Sequence, residues 1–413
     1  MLTFWLAILT VVAGGLLFWN IDLSSRLTDL SDKIVGIYSG NKEFSKDDTS
    51  GSQETESIPT YVKAEAKAVI KRVVELQNEN TVSFIAVSDM HMKSDDERIV
   101  EGLKHAGQAM GLIREGVEID FAVSLGDMTW GSTETPFNTG VDEIKKANEF
   151  ISKGFEGIPN FRLIGNHDLL MYGYENDGKH LNSSELHGLI GKYNDGAFPQ
   201  GREEKGYFYR DFEDSKLRVV CLNLNEYKDG DSPDDFVECY VTPEQVEWFA
   251  KTLDLSAKDN SAEWKILLLS HQPLNWFEAY SKMTEIVDSY TNGLSGSVTV
   301  DGKEISFDFA GKNSAQIIAN IHGHMHNFRT GILGTSRIPT VTIPNACFVR
   351  NNEYGTSYAY SDEIHNKYGE KTTYAKTADS SKDTAFCVVT VDFKYRRIYV
   401  TCYGAGYDRE ISF

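Results

Sequence analysis

The distribution of apolar and polar residues divides the chain into three parts. The first 21 residues carry no charged side chain, and residues 41–60 are polar, acidic and rich in Ser and Thr. From residue 61 onward, short apolar runs alternate with segments in which apolar residues recur every three or four positions. The short runs favour buried strands, and the longer spacing favours amphipathic helices. The pattern predicts an N-terminal apolar segment, a stalk and flexible linker over 22–60, and one α/β domain over 61–413.

The apolar segment 1–21 is long enough to cross a bilayer as a helix, which needs about 20 residues. Trp5 and Trp19 lie near its ends, where membrane helices often carry aromatic side chains. A cleavable signal peptide is the alternative, but no Lys or Arg precedes the apolar run and no A-x-A site is present. We therefore expect a retained single-pass membrane anchor. Arg26 and Lys33 follow the segment, and by the positive-inside tendency they favour a cytoplasmic catalytic domain.

A second periodic pattern follows the apolar segment, over residues 23–37. Its apolar positions have the 4-3-4-3 spacing of a coiled-coil seam: Leu23, Leu27, Leu30, Ile34 and Ile37. The seam spans only about two heptads, and coiled coils usually need three or four. The spacing therefore predicts either a weak dimer contact or the end of an ordinary amphipathic helix.

The third part has the texture of a layered α/β sandwich. Six apolar runs predict buried strands: TVSFIAVSDMH, IDFAVSLGD, FRLIGNHD, LRVVCLNLN, WKILLLSHQ and IIANIHGH. Four segments predict helices: YVKAEAKAVIKRVVELQNEN, a segment opened by a capping box at Ser94 and ending near Gly116, VDEIKKANEFISK and TPEQVEWFAKTL. The C-terminal run FCVVTVDFKYRRIYVTCYG predicts a hairpin.

Composition limits the classes of function. Lys and Arg number 41 against 61 Asp and Glu, which leaves a net charge of -20. Such a chain is unsuited to coating nucleic acid or an anionic membrane by bulk charge, although a local metal site remains compatible with it. The five cysteines are odd in number and show no C-x-x-C spacing. A disulfide framework and a cysteine-based zinc site are therefore not expected.

Five short motifs each follow directly on a predicted strand. They are Asp89-Met90-His91, Gly126-Asp127, Gly165-Asn166-His167-Asp168, His271 and Gly323-His324-Met325-His326. Any one of them alone is typical of a turn or of a buried histidine. Ligand-binding residues, however, gather at the carboxyl ends of strands in α/β sheets. Together the motifs supply oxygen and nitrogen ligands without sulfur, a set that suits Mn, Fe or Zn and is large enough for two ions.

The ordered series D-x-H, GD, GNHD, H and GHxH resembles the calcineurin-like metallophosphoesterase superfamily over residues 80–330. The resemblance implies a four-layer fold, a β-sandwich flanked by helices. It implies one metal held by Asp89, His91, Asp127 and His326, with Asp127 bridging to a second held by Asn166, His271 and His324. His167 would lie over the substrate phosphate and stabilise the transition state or protonate the leaving oxygen. Asp168 would be either a partner behind these residues or a helix N-cap.

The function implied by this resemblance is hydrolysis of a small phosphomonoester or phosphodiester by a metal-bound hydroxide, with two divalent ions as cofactors. The residues after Gly126-Asp127 are Met-Thr-Trp and the third motif is GNHD, which argues against a Ser/Thr protein phosphatase. A nuclease of the same fold is one alternative, which the negative charge disfavours. A membrane- or particle-associated binding module that keeps the fold without turnover is another. His322 is an additional histidine, expected in the core or behind the ligands.

Overall fold

Two six-stranded β-sheets lie at the centre of the structure, a computed structural model that describes residues 57–171, 178–194, 196, 198–199, 205–226, 240–275, 280–347, 384–404 and 408–413. In chain order the elements are α1 (Thr60–Val74), β1 (Thr81–Val87), α2 (Glu97–Gly116), β2 (Phe121–Ser124), α3 (Phe137–Phe155), β3 (Asn160–Arg162), α4 (Ser183–Ile190), β4 (Phe208–Phe212), β5 (Leu217–Cys221), α5 (Pro243–Leu253), β6 (Lys265–Ser270), α6 (Ser281–Thr291), β7 (Ser295–Val300), β8 (Lys303–Asp308), β9 (Gln316–His322), β10 (Thr330–Leu333), β11 (Ile338–Thr342), β12 (Ala385–Asp392), β13 (Arg397–Gly404) and β14 (Arg409–Ser412).

The strand order of each sheet brings the motif-bearing strands side by side. The first sheet has the order β14-β13-β12-β1-β2-β3, and the second has the order β10-β11-β9-β6-β5-β4. Strands β1, β2 and β3 are parallel neighbours, and so are β5, β6, β9 and β11. Parallel strands end at the same edge of a sheet, so the residues that follow β1, β2 and β3 lie close together, as do those that follow β6 and β9.

Apolar side chains fill the space between the two sheets and cover both outer faces. Phe84 and Phe121 of the first sheet stack with their rings 4.4 Å apart, in one buried cluster with Leu267 of the second. Helices α1, α2 and α3 pack on the outer face of the first sheet, and α5 and α6 on that of the second. The layers are therefore helix, sheet, sheet and helix, and the sandwich flanked by helices is what the structure shows.

The predicted mixed α/β class is confirmed, with the six predicted strands present as β1, β2, β3, β5, β6 and β9. The C-terminal hairpin is the antiparallel pair β12 and β13.

The helix predicted to open with a capping box at Ser94 begins instead at Glu97. Its N-cap is Asp96, whose side chain accepts a hydrogen bond from the Arg98 N–H. Ser94 donates its N–H and its hydroxyl to Glu143 of α3. The capping-box prediction was wrong because a carboxylate from another helix binds the serine, and local sequence does not show that contact.

The predicted N-terminal features fall outside the described residues. The anchor 1–21, the seam 23–37 and the linker up to residue 56 stay predictions. The described residues from Ile58 to Phe413 belong to one unit. Within the described ranges, no helix combines the length and apolarity needed to cross a bilayer.

The described cysteines are all buried: Cys221, Cys347, Cys387 and Cys402. The first, third and fourth lie on strands and pack between the sheets as small apolar side chains. Cys387 and Cys402 face each other across β12 and β13, with their sulfurs 3.1 Å apart.

A buried carboxyl group lies beside the N-terminus of α5. Glu226 accepts hydrogen bonds from the Thr242 N–H and from Gln245 Nε2, both at 2.6 Å. Burial outweighs these donors and raises the pKa of Glu226 from an ordinary 4.5 to about 7. The folded chain therefore binds this proton more tightly than the unfolded chain does. The resulting stabilisation is complete below the unfolded pKa and is lost as the pH rises through the folded pKa.

We expect Glu226→Gln to remove this part of the pH dependence of stability. From about pH 5 to about pH 8, the free energy of unfolding of the unsubstituted protein should fall by about 3 kcal/mol relative to that of the variant. Urea unfolding at both pH values measures the difference. Glu134→Gln, at an exposed position, serves as the control and should follow the unsubstituted protein. If the stabilities of Glu226→Gln and of the unsubstituted protein changed in parallel with pH, a raised pKa of Glu226 would be contradicted.

Candidate metal centre

The loops after β1, β2, β3, β6 and β9 meet at one edge of the sandwich. Three of these loops come from the first sheet and two from the second, so the site is built across both. They carry the predicted site residues, which are Asp89, His91, Asp127, Asn166, His167, Asp168, His271, His324 and His326. The structure brings the seven predicted metal ligands into contact with one another, as the distances below show.

Several of these ligand positions have a backbone conformation that non-glycine residues rarely adopt. Five predicted ligands have positive φ angles between 44° and 64°: Asp89, His91, Asp127, His324 and His326. A left-handed conformation at such residues costs on the order of 1–3 kcal/mol each, and it persists where surrounding contacts enforce it. The turns bend each chain sharply after its strand, so the side chain projects over the sheet edge. Six other described non-glycine residues also have positive φ angles, but five of the seven predicted ligands share this conformation, as is typical of functional residues.

A first group of possible ligands contains Asp89, His91, Asp127 and His326. One ligand atom from each residue lies within 4.8 Å of those of the others. His326 Nε2 is 3.1 Å from Asp89 Oδ1, and His91 Nε2 is 3.8 Å from Asp127 Oδ2. The Nε2 atoms of the two imidazoles approach each other to 2.9 Å. All four residues therefore point into one small space.

A second group contains Asp127, His271 and His324, whose ligand atoms also lie within 4.8 Å of one another. His271 Nε2 lies 3.1 Å from Asp127 Oδ2. Asn166 joins this group through its side-chain oxygen, which is 3.1 Å from His271 Nε2 and 3.0 Å from His324 Nδ1. Asp127 belongs to both groups, the position that a bridging carboxylate needs.

The donor atoms fit divalent cations. His91 Nδ1 and Asp127 Oδ2 are buried and make no hydrogen bond, although His271 Nε2 lies close to the latter. His271 Nδ1 is 2.8 Å from the Leu125 carbonyl oxygen, which can only accept, so Nδ1 carries a proton. When Nε2 gives up its own proton, its lone pair therefore points inward. This arrangement is common in metal-binding histidines. Oxygen and nitrogen ligands without sulfur suit Mn, Fe or Zn.

Burial lowers the pKa of two ligand histidines, whereas the two carboxylates raise the pKa of His271. Burial lowers the pKa of His91 and of His324 to about 3, so both imidazoles are neutral at pH 7 and keep a lone pair. Burial acts the same way on His271, but the charges of Asp127 and Asp89 outweigh it and raise the pKa of His271 to about 9. In the protein without a cation, protonated His271 therefore compensates buried negative charge.

His167 lies at the edge of the first group without belonging to it. Its N–H donates to Asp127 Oδ1 at 2.9 Å, and its ring centroid is 4.7 Å from that of His91. Its Nδ1 is 2.6 Å from the Trp130 carbonyl oxygen, to which it donates. The Trp130 ring is 5.4 Å from His91 and 6.1 Å from His167. Sequence reasoning noted Trp130 only as a departure from a family pattern, and its contacts place it at the site.

Asp168 holds two loops of the site together. Its carboxylate accepts hydrogen bonds from the N–H groups of Asp127 at 2.9 Å, Met128 at 2.6 Å and Gly165 at 3.0 Å. The side chain is buried, and burial with the neighbouring charge of Asp127 raises the pKa of Asp168 to about 7. The contacts are those of a partner behind the ligands rather than of a helix N-cap, since they join the loops after β2 and β3.

Two glycines allow backbone and carboxylate to approach closely. A Cβ atom on Gly323 would lie 1.8 Å from Ser88 Oγ and 2.5 Å from Asp89 Oδ2. A Cβ atom on Gly165 would lie 2.2 Å from Asp127 Oδ1. A side chain at either position would displace a predicted ligand.

His322 lies outside both ligand groups. It is buried, with Nδ1 3.0 Å from the Gly323 carbonyl oxygen and Nε2 3.5 Å from Thr342 Oγ1. These contacts are those of a core residue at the end of β9.

Comparison with known proteins gives one family and several distant structural similarities. The family model for calcineurin-like phosphoesterases matches residues 82–328. No curated protein matches the chain. Among solved structures, the GAP50 anchor in the inner membrane complex of Plasmodium is 12% identical, with a TM-score of 0.40 over 81% of this chain and 90% of that one.

Two bacterial structures are also similar. The NAD nucleotidase of Haemophilus influenzae is 10% identical, with a TM-score of 0.35 over 80% of this chain and 49% of its own. The sulfate thiohydrolase SoxB of Thermus thermophilus is 10% identical, with a TM-score of 0.33 over 64% of this chain and 52% of its own. This chain thus spans about half the length of either bacterial protein. Similarities at this level do not bear on its function.

We expect Gly323→Ala to weaken metal binding, because the added Cβ atom would push Asp89 out of the first ligand group. Equilibrium dialysis against Mn²⁺, followed by elemental analysis, measures the ions bound per chain. Gly188→Ala is the matched control, since a Cβ atom there meets nothing within 4 Å. Unchanged metal binding by a folded Gly323→Ala protein would show that the close approach of Gly323 to Asp89 is not required.

Proposed function

Since the chain belongs to the calcineurin-like phosphoesterase family, we propose that it hydrolyses a small phosphomonoester or phosphodiester with the help of two divalent metal ions. The observation that carries the proposal is the position of Asp127, which is shared by two groups of ligand atoms. Asp89, His91 and His326 would complete one metal position, and Asn166, His271 and His324 the other.

When bound, two such ions lower the pKa of water so that it becomes a nucleophile near neutral pH, and they screen negative charge on the phosphate oxygens. The residues of the chain supply the geometry. Asn166 offers a neutral oxygen, which adds no negative charge opposite an anionic substrate. Asp127 offers a carboxylate to both positions, and the Asp168 carboxylate fixes the backbone on either side of it.

His167 is proposed to act on the substrate. Because the Trp130 carbonyl holds a proton on Nδ1, Nε2 is the atom that would exchange a proton with the leaving oxygen. The Asp127 contact to the His167 N–H fixes the backbone from which the imidazole projects. Both contacts orient the ring relative to the metal positions before substrate binds.

The net charge of -20 favours a small substrate over a long nucleic acid. Extended polyanions gain much of their affinity from many Lys and Arg contacts, which an acidic protein does not offer in excess. We therefore propose a small phosphoester as the substrate, with the metal being Mn, Fe or Zn.

We expect Asp127→Asn to abolish both metal loading and hydrolysis of a generic aryl phosphate, because both ligand groups lose their shared carboxylate. The full chain is loaded separately with Mn, Fe and Zn, and bound metal and turnover are measured for each. Asp142→Asn, on the exposed side of α3, is the control and should behave as the unsubstituted protein. Undiminished activity in Asp127→Asn would refute the mechanism.

A substrate panel distinguishes the proposed activity from its rivals. Aryl monoesters, aryl diesters, single-stranded DNA and RNA are tested over a range of salt concentrations. Hydrolysis of small esters that does not depend on salt supports the proposal. Cleavage of DNA or RNA would instead identify a nuclease, and tight metal binding without hydrolysis of any ester would identify a binding module.

We expect His167→Asn to retain the metal ions and to lose turnover. The asparagine Nδ2 can still donate to the Trp130 carbonyl, but the proton-exchanging Nε2 is absent. The loss should be on the order of 10²–10⁴-fold for an alkyl phosphate and smaller for a nitrophenyl phosphate, whose leaving group needs no proton. Metal content and turnover of both esters are compared with the unsubstituted protein. Equal loss on both esters would exclude proton donation by His167.

A further inference from the structure

Three buried amide side chains lie in a row behind the second ligand group. Gln272 Nε2 donates to Asn225 Oδ1 at 2.6 Å, and Asn225 Nδ2 donates back to Gln272 Oε1 at 3.1 Å. The same Gln272 Nε2 is 3.4 Å from Asn166 Oδ1. Gln272 is fully buried, and Asn225 and Asn166 are each 2% exposed, so water does not compete for these contacts. None of the three amides can therefore reverse without leaving a buried polar group unpaired.

The orientation of the Asn166 amide decides whether it can bind a cation. Its oxygen can be a metal ligand, and its NH₂ group cannot. The two ends of an amide have nearly the same size, so packing alone does not select one orientation. In the structure Oδ1 faces His271 and His324. Hydrogen bonds around Asn166 must therefore select the orientation in which the oxygen points inward.

The backbone carbonyl of Ile164 sets the polarity of the whole row. A carbonyl only accepts hydrogen bonds, so Asn225 must turn Nδ2 towards it, and the distance is 3.1 Å. Asn225 Oδ1 then faces Gln272, which must present Nε2 as the donor. The same Gln272 Nε2 atom faces the Oδ1 end of the Asn166 amide. The Ile164 carbonyl thus orients Asn225, and Asn225 orients Gln272. Gln272 in turn orients Asn166.

A further contact holds the start of the row in place. The Asn225 N–H donates to Asn223 Oδ1 at 3.0 Å, and the Asn223 N–H donates to Gln245 Oε1 at 3.0 Å. These bonds anchor Asn225 to α5, at a distance from the metal ligands. The row is therefore supported by the second sheet and its helix rather than by the ligands that it orients.

We propose that Gln272 and Asn225 are positioning residues that hold Asn166 with Oδ1 towards His271 and His324, and so set the affinity of the second metal position. The inference rests on the proposed function, because it assumes a second divalent ion. Neither residue would touch substrate or metal. Partners that orient a metal ligand in this way typically change metal affinity by about 10–100-fold when they are replaced.

The test is Gln272→Met in the full chain, because methionine has nearly the volume of glutamine and cannot donate a hydrogen bond. Calorimetric titration with Mn²⁺ should show the second ion bound about 10–100-fold more weakly, with the affinity of the first unchanged. At the same total Mn²⁺, the electron paramagnetic resonance signal of a spin-coupled pair should be replaced by that of isolated ions. Gln316→Met is the matched control, since Gln316 is a half-buried residue at the start of β9, at the opposite end of that strand from the metal ligands, and this variant should bind both ions normally.

A second variant, Asn225→Leu, removes the amide that orients Gln272. It keeps the test conclusive if Gln272→Met does not fold. It should reproduce the selective loss of the second ion, with thermal unfolding confirming a folded protein. Two-ion binding by Gln272→Met or Asn225→Leu equal to that of the unsubstituted protein would overturn the inference and leave the proposed function intact. Equal weakening of both ions in the two folded variants would also overturn it. Binding of fewer than two ions by the unsubstituted protein would refute the proposed function itself.

Discussion

The burial of two carboxylates in one small space is the constraint on which the site depends. Asp89 and Asp127 are almost fully buried and contact the same imidazoles. Like charges out of water repel each other strongly unless positive charge or hydrogen-bond donors compensate them. In the protein without a cation, protonated His271 supplies part of this compensation, because these carboxylates raise its pKa to about 9. They also raise the pKa of His326. Two divalent ions would supply more, which makes the same arrangement a cation site.

Keeping this arrangement requires a rigid frame, and the sandwich provides it. The two sheets share an apolar interior, and both outer faces are covered by helices. Against that frame, five predicted ligands adopt left-handed backbone conformations without the loops relaxing. Buried polar side chains then join the loops to one another: Asp168 connects those after β2 and β3, and Glu143 connects those after β1 and β2 through Ser94 and Thr129. The strain at the ligands is thus balanced by hydrogen bonds one layer behind them.

Much of the fold was predictable because its signals are local. Runs such as ILLL within β6 are continuously apolar, as is typical of strands buried on both faces, and the alternation with helical segments implied a layered α/β fold. The helix start at Ser94 was wrong for the opposite reason. Asp95, Asp96 and Ser94 all have capping chemistry, and the choice among them depended on Glu143, about fifty residues further along the chain.

What the sequence determined by itself is the chemistry of the site: oxygen and nitrogen ligands placed at five strand ends, in an order that identified the family. These follow from residue type and from apolar runs, which each segment carries with it. The tertiary structure alone decided that Asp168 joins the loops after β2 and β3, that Trp130 lies beside His167, and that Gln272 faces Asn166. Those contacts join loops far apart in the chain, and their hydrogen-bond directions exist only once both sheets have packed.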